Sequence, residues 1–145
     1  MIEYTKRNKI DVSKVLVQNQ DGEILVLKKS SSYDWKADKW ELPGGKIERE
    51  ENKFEAAKRE TKFETGLESE EYQETVRTEV EEPNSDKPVV NCWILYTDKY
   101  SGSIELSDEH QNFEWVSAEE FLTINWHRDD GYAIPAMKHL NEYLD

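Results

Sequence analysis

Apolar and polar positions along the 145-residue chain fall into short runs that change period as the chain advances. Val15-Leu16-Val17 and Ile24-Leu25-Val26-Leu27 are continuous apolar stretches on either side of Asp21-Gly22. That dipeptide favours a tight turn, so the segment predicts a hairpin of two opening strands. Between 53 and 65 the spacing becomes helical, with Phe54, Ala57 and Thr61 along one stripe and Gly66 as the stop signal. Residues 72–80 and 89–96 are rich in β-branched and aromatic side chains and read as strands, separated by a Pro83 to Pro88 stretch that cannot continue a ladder. Ile104-Glu105-Leu106 and Phe113-Glu114-Trp115-Val116 predict two more short strands. Ser117, with Glu120 three residues on, forms a capping box that opens a helix through Phe121-Leu122. A last helix is expected across Ile134, Met137, Leu140 and Leu144. Residues 30–39 read as a polar, ordered loop.

Strands outnumber helices, which favours a mixed sheet covered on two sides, an α/β (α+β) architecture. Length and the lack of any linker-like stretch point to a single domain over 1–145. Residues 1–11 carry no apolar stretch, so neither a signal peptide nor a membrane span is expected. With Cys92 the only cysteine, no internal disulfide can form, and a cytoplasmic location is the default. A homodimer is left open.

The formal net charge is −13, and residues 48–82 alone hold 13 acids against 6 bases. Such a chain is a poor match for nucleic-acid phosphates. It can still take a polyphosphate if divalent cations bridge the like charges. Most of the acids between 68 and 82 read as solvated faces.

Chemistry concentrates between 44 and 67. A Gly44-Gly45 turn leads into Glu51, then Arg59-Glu60, Glu64, Gly66 and Leu67. Glu60 and Glu64 stand four apart, so on a helix they share a face and could grip one hard cation. The intervals resemble the Nudix box, G-x5-E-x7-R-E-U-x-E-E-x-G-U with U a bulky aliphatic, counted from Gly45. Seven of its nine specified positions are filled, while Thr61 replaces an aliphatic and Phe63 replaces the first acid of the E-E pair. Trp40-Glu41-Leu42-Pro43 before the box, and Glu109-His110 with Trp115-Val116-Ser117-Ala118-Glu119-Glu120 after it, extend the likeness over most of the chain.

The resemblance to this MutT-like hydrolase superfamily implies an α/β/α sandwich with a mixed central sheet. It also implies a Mg²⁺-dependent enzyme, with Mn²⁺ as a substitute, that cleaves the pyrophosphate bond of a nucleoside diphosphate linked to another moiety X. By that resemblance Glu60, Glu64 and the Gly45 carbonyl would bind metal, and Arg59 and Glu51 would pair to orient the helix side chains. Glu109 would complete the metal site or act as base toward water. Trp35, in the loop before the box, is the candidate for stacking on a nucleobase, and Tyr33 and Trp40 are weaker ones. His110, His127 and His139 read as structural, and Cys92 as an inert buried thiol.

Phe63 implies an impaired or atypical metal site, since removing one acid under-coordinates a cation. The same residue could instead point into the core and seat the helix. The alternative function is a non-catalytic Nudix-like module that binds a nucleotide as sensor or partner.

Overall fold

In the computed structural model, residues 9–30, 39–81, 86 and 88–124 are described, with the side chain of Val80 excepted. The expected final helix, His127, His139, Tyr33 and Trp35 lie outside these residues.

The seven described strands divide between two sheets. The first, mixed in direction, runs β4 (Gly44–Lys46), β1 (Lys9–Val17), β6 (Val89–Thr97), β5 (Gln73–Val80). Within it β1 pairs antiparallel with β4 and parallel with β6, and β6 pairs antiparallel with β5. The second sheet is antiparallel, in the order β3 (Trp40–Glu41), β2 (Ile24–Lys29), β7 (His110–Val116). Two described helices, α1 (Lys53–Thr65) and α2 (Ala118–Phe121), complete the mixed α+β architecture. Among the described residues no helix is long and apolar enough to cross a membrane.

The opening apolar runs are continuous because both faces of their strands are covered. Leu16, Ile24 and Val26 pack with Ile94 and Phe121 on the α2 side. Val15, Val17, Leu25 and Leu27 pack with Ala57, Leu67 and Leu95 on the α1 side.

The hairpin expectation is corrected. The turn forms as expected, with Gly22 at φ +79°, Asn19 N–H donating to the Glu23 carbonyl at 2.9 Å, and the Asn19 side-chain oxygen accepting from the Asp21 and Glu23 amides. A single antiparallel bridge, Gln18 to Ile24, follows it, and then β1 and β2 part into different sheets. Residues 104–106 are also not a strand. Their segment lies along the end of α1, where Glu105 N–H donates to the Thr65 carbonyl at 2.8 Å and Ser107 N–H to the Glu64 carbonyl at 3.3 Å. The apolar side chains of Ile104 and Leu106 still pack on the core, which is what made the stretch look strand-like.

Helix α1 has the expected bounds. Asn52 and Glu55 form a reciprocal capping box at its start, and Gly66, left-handed at φ +79°, donates to the Lys62 carbonyl at its end. The expected stripe is half right: Ala57 and Thr61 are buried, whereas Phe54 is exposed. The hydroxyls of Thr61 and Tyr72 are buried with no hydrogen-bond partner among the described residues, so the position where the box has an aliphatic carries a buried polar group under the helix. The second capping box, Ser117 with Glu120, opens α2.

Candidate functional site

The glycine turn is pressed against β1. Lys14 pairs with Gly44 and Ser13 with Gly45, while Val15 N–H donates to the Pro43 carbonyl at 2.9 Å. Gly44 has φ +137°, and a Cβ there would stand 2.0 Å from the Ser13 carbonyl oxygen, so only glycine fits. Ser13 Oγ donates to the Lys53 carbonyl at 2.8 Å and fixes the first turn of α1 to the same strand.

Helix α1 then brings its carboxylates onto this turn. Glu64 is buried, and its Oε1 accepts from the Gly44 N–H at 2.8 Å. Glu60 lies over Gly45 so closely that a Cβ on that glycine would meet the Glu60 carboxyl carbon at 2.8 Å. Arg59 donates through Nε and Nη2 to both oxygens of Glu51, at 2.8 and 2.9 Å, and through Nη1 to Glu60 Oε1 at 2.6 Å. Its Nη2 also donates to the Lys46 carbonyl at 3.0 Å. The guanidinium thus joins the loop, the helix carboxylate and the strand after the glycines. Its hydrogen bond to Glu51 raises the Arg59 pKa, and the same bond lowers that of Glu51.

Burial, above all, pushes the Glu64 pKa well above the usual carboxylate range, against the pull of Lys14 and the Gly44 N–H, with Glu41 and Glu60 adding repulsion. A buried carboxyl held that way gains most from a bound cation. The donor set around the turn, two carboxylates on a glycine backbone, is all oxygen and suits a hard divalent ion.

A second feature was not read from the sequence. Glu41, Glu64 and His110 bring ligand atoms within 4.8 Å of one another, all buried. Glu41 is already saturated: Lys14 Nζ reaches its Oε1 at 3.3 Å, and Lys29 Nζ and His110 Nε2 reach its Oε2 at 2.9 and 2.6 Å. Burial opposes the charge on Glu41, but Lys14, the His110 hydrogen bond and Lys29 together hold its pKa well below the usual range. Two ammonium groups on one carboxylate leave no place for a divalent ion at Glu41, so this is an internal ion network behind the turn rather than a metal centre. Lys14 Nζ also donates to the Leu42 carbonyl at 3.2 Å. With Glu41 ionised, His110 carries its proton on Nε2, and its buried Nδ1 has no partner among the described residues. No sequence spacing links positions 14, 29, 41 and 110; the only signal was a glutamate directly before Leu42-Pro43-Gly44-Gly45.

Glu109 stands in the loop before β7, half-buried, with its carbonyl accepting from the Ser30 N–H at 3.0 Å and its own N–H facing Ser107 Oγ at 3.4 Å. Neither it nor Glu60 joins the group of three around Glu41. Phe63 is 60% exposed, which removes the reading of it as a core residue. Cys92 is buried, and burial pushes its thiol pKa up to about 12, as expected of an inert thiol.

The NUDIX domain model matches residues 8–137, and the chain belongs to the Nudix family. It is 37% identical over 84 residues to the asymmetrical bis(5'-nucleosyl)-tetraphosphatase of Mus musculus, covering 56% of this chain and 57% of that enzyme. It is 34% identical to the corresponding Rattus norvegicus enzyme, over 72% of this chain and 70% of that one. Against the CTP pyrophosphohydrolase of Escherichia coli K12 the identity is 30%, over 78% of this chain and 79% of the enzyme. Among solved structures, a MutT protein from Methanosarcina mazei Go1 superimposes with a TM-score of 0.80 at 25% identity, covering 94% of this chain and 98% of that one.

Proposed function

We propose that the chain, read as one domain over 1–145, is a Mg²⁺-dependent hydrolase that cleaves the pyrophosphate bond of a nucleoside diphosphate linked to a second group. The observation that carries this is the convergence of the Glu60 and Glu64 side chains on the Gly44-Gly45 turn, with Arg59 clamped on Glu51 behind them. A site of ordinary surface ion pairs has no need of a carboxylate buried against a glycine amide.

Glu60, Glu64 and the Gly45 carbonyl would hold the ion, which supplies neutralisation of the non-bridging phosphate oxygens. Arg59 fixes Glu60 and cannot itself give up a proton. Glu109, in the loop between β6 and β7, would by the family resemblance complete the site or take a proton from water as it adds to phosphorus and the bridging P–O bond breaks. Likeness to the tetraphosphatases favours a second nucleotide as the group released. Trp35 remains the loop candidate for a base contact. The protein would act as a soluble cytoplasmic enzyme on small molecules, with no nucleic-acid or membrane partner.

Phe63 favours one other reading, a nucleotide-binding module without turnover, because it stands where a third acid is expected. A hydrolysis screen of nucleotide pyrophosphates with Mg²⁺ and Mn²⁺ beside a Glu60→Gln control separates the two. Product release that disappears in the control supports the enzyme; binding without release in the wild type supports the module.

A further inference from the structure

Three large apolar side chains are exposed among the described residues: Phe54 at 38%, Leu122 at 43% and Phe63 at 60%. Two of them are aromatic, and they differ in their surroundings. Lys53 Nζ lies 5.6 Å from the ring centroid of Phe54. Phe63 is 60% exposed and has no ring or cation contact among the described residues. The lysines of that part of the helix are drawn elsewhere, Lys62 to Glu68 at 3.2 Å and Lys58 to Glu70.

The position of that ring matters more than its exposure, since a scattered surface phenylalanine needs no explanation. Helical side chains incline toward the N-terminus, so Phe63 leans over the turn that contains Arg59 and Glu60, three and four residues back. Around the helix the order is then Glu64, buried on Gly44; Glu60, at the rim over Gly45; and Phe63, outermost and facing solvent. Phe63 therefore borders the Glu60 and Glu64 carboxylates on the solvent side of the helix.

We infer that Phe63 is a stacking platform for the distal nucleobase of a dinucleoside polyphosphate, a specificity-determining residue that replaces an acid with an aromatic face. The inference rests on the pyrophosphohydrolase reading and narrows its second group to a nucleoside. A flat, uncharged ring beside a polyanion site selects a ligand that is anionic in the middle and aromatic at its end. A mononucleotide spends its one base elsewhere or on Phe63, but cannot do both. A dinucleoside polyphosphate uses both ends.

The test is calorimetric titration of the full chain in Ca²⁺ with diadenosine tetraphosphate and, separately, with ATP, for the wild type, Phe63→Ala and Phe63→Tyr. Base stacking on an aromatic side chain corresponds to roughly a 5- to 100-fold change in affinity on truncation to alanine. The expected result is a loss of that size for the dinucleotide in Phe63→Ala, a clearly smaller loss for ATP, and recovery in Phe63→Tyr. Thermal melting of Phe63→Ala close to the wild type establishes that the exposed ring carries no fold. Equal losses for the two ligands, no loss for either, or no dinucleotide binding by the wild type overturns the inference. Selective loss in a protein that hydrolyses neither ligand with Mg²⁺ sustains the platform and removes the hydrolase reading instead.

Discussion

Replacing Gly45 by alanine asks whether the Glu60 carboxylate has to be where it is. The backbone at Gly45 is not left-handed, so alanine is conformationally tolerated, unlike at Gly44. The added Cβ would stand 2.8 Å from Glu60 Cδ and 3.0 Å from its Oε2. Carbon atoms rest at about 3.5–4.0 Å, so the carboxylate has to withdraw by about 0.7 Å or more. The obstacle is the far end of a flexible side chain, and the stability change should stay within about 1 kcal/mol. Catalysis is less forgiving, since a displacement on the order of 1 Å in a reacting constellation costs roughly 100-fold. We expect Gly45→Ala to lose 10- to 100-fold in kcat with Mn²⁺, while its Tm stays within a few degrees of the wild type. Gly44→Ala is the contrasting case: its Cβ would meet the Ser13 carbonyl oxygen at 2.0 Å and Lys14 Cα at 2.8 Å. Both are backbone atoms and φ is +137°, so strain and overpacking should together cost roughly 3–6 kcal/mol. That variant should melt roughly 10 °C or more below the wild type. Full turnover by Gly45→Ala at an unchanged Tm would refute the role given to Glu60, and a collapse as deep as that of Gly44→Ala would refute the steric argument.

Other outcomes follow from the same geometry. Arg59→Ala should lower turnover about 10- to 100-fold with the fold intact, as for partners that orient a ligand; unchanged kinetics would reduce Arg59 to a surface charge. Burial raises the Glu64 pKa, so its contribution to stability is full below the unfolded carboxylate value and is lost as pH rises through the folded one. Glu64→Gln should therefore melt above the wild type in EDTA at neutral and alkaline pH, lose that advantage toward pH 4, and fail to hydrolyse; a Tm difference independent of pH contradicts this. Glu41 has the opposite sign, because its lowered pKa gives stability that is present above the unfolded value and lost as pH falls through the folded one. The wild type should accordingly show an acid limb in Tm against pH that flattens in a Glu41→Gln, Lys14→Met double variant. Phe63→Glu, at a position 60% exposed, should fold normally and bind Mn²⁺ more tightly in a titration; unchanged affinity would mean the position does not face the ion.

Helix α1 was legible because the spaced carboxylates of the box and a terminating glycine coincide in it, although the apolar stripe was only half right. The parting of β1 and β2 was not, since Asp21-Gly22 specifies a turn and says nothing of which strands pair beyond it. Residues 104–106 misled for a related reason: their pattern reported burial, whereas their backbone partners are helix carbonyls far away in sequence. In the site, the Arg59 to Glu51 clamp could be read because both ends belong to one spaced motif. The network on Glu41 could not, as its members come from β1, β2, β3 and β7 and meet only through the packing of two sheets.

The strip that runs along the end of α1 has a dynamic consequence. Ser101 and Glu68 exchange two backbone hydrogen bonds, and the amides of Glu105 and Ser107 close onto the Thr65 and Glu64 carbonyls. The helix turn that carries Glu64 and the loop that leads to Glu109 are therefore laced into one body by main chain alone. Fluctuations of the last helix turn and of this strip are coupled, and the strip is ordered against the helix during folding. In native-state hydrogen exchange the amides of Glu105 and Ser107 should open together with the last turn of the helix, as one cooperative unit.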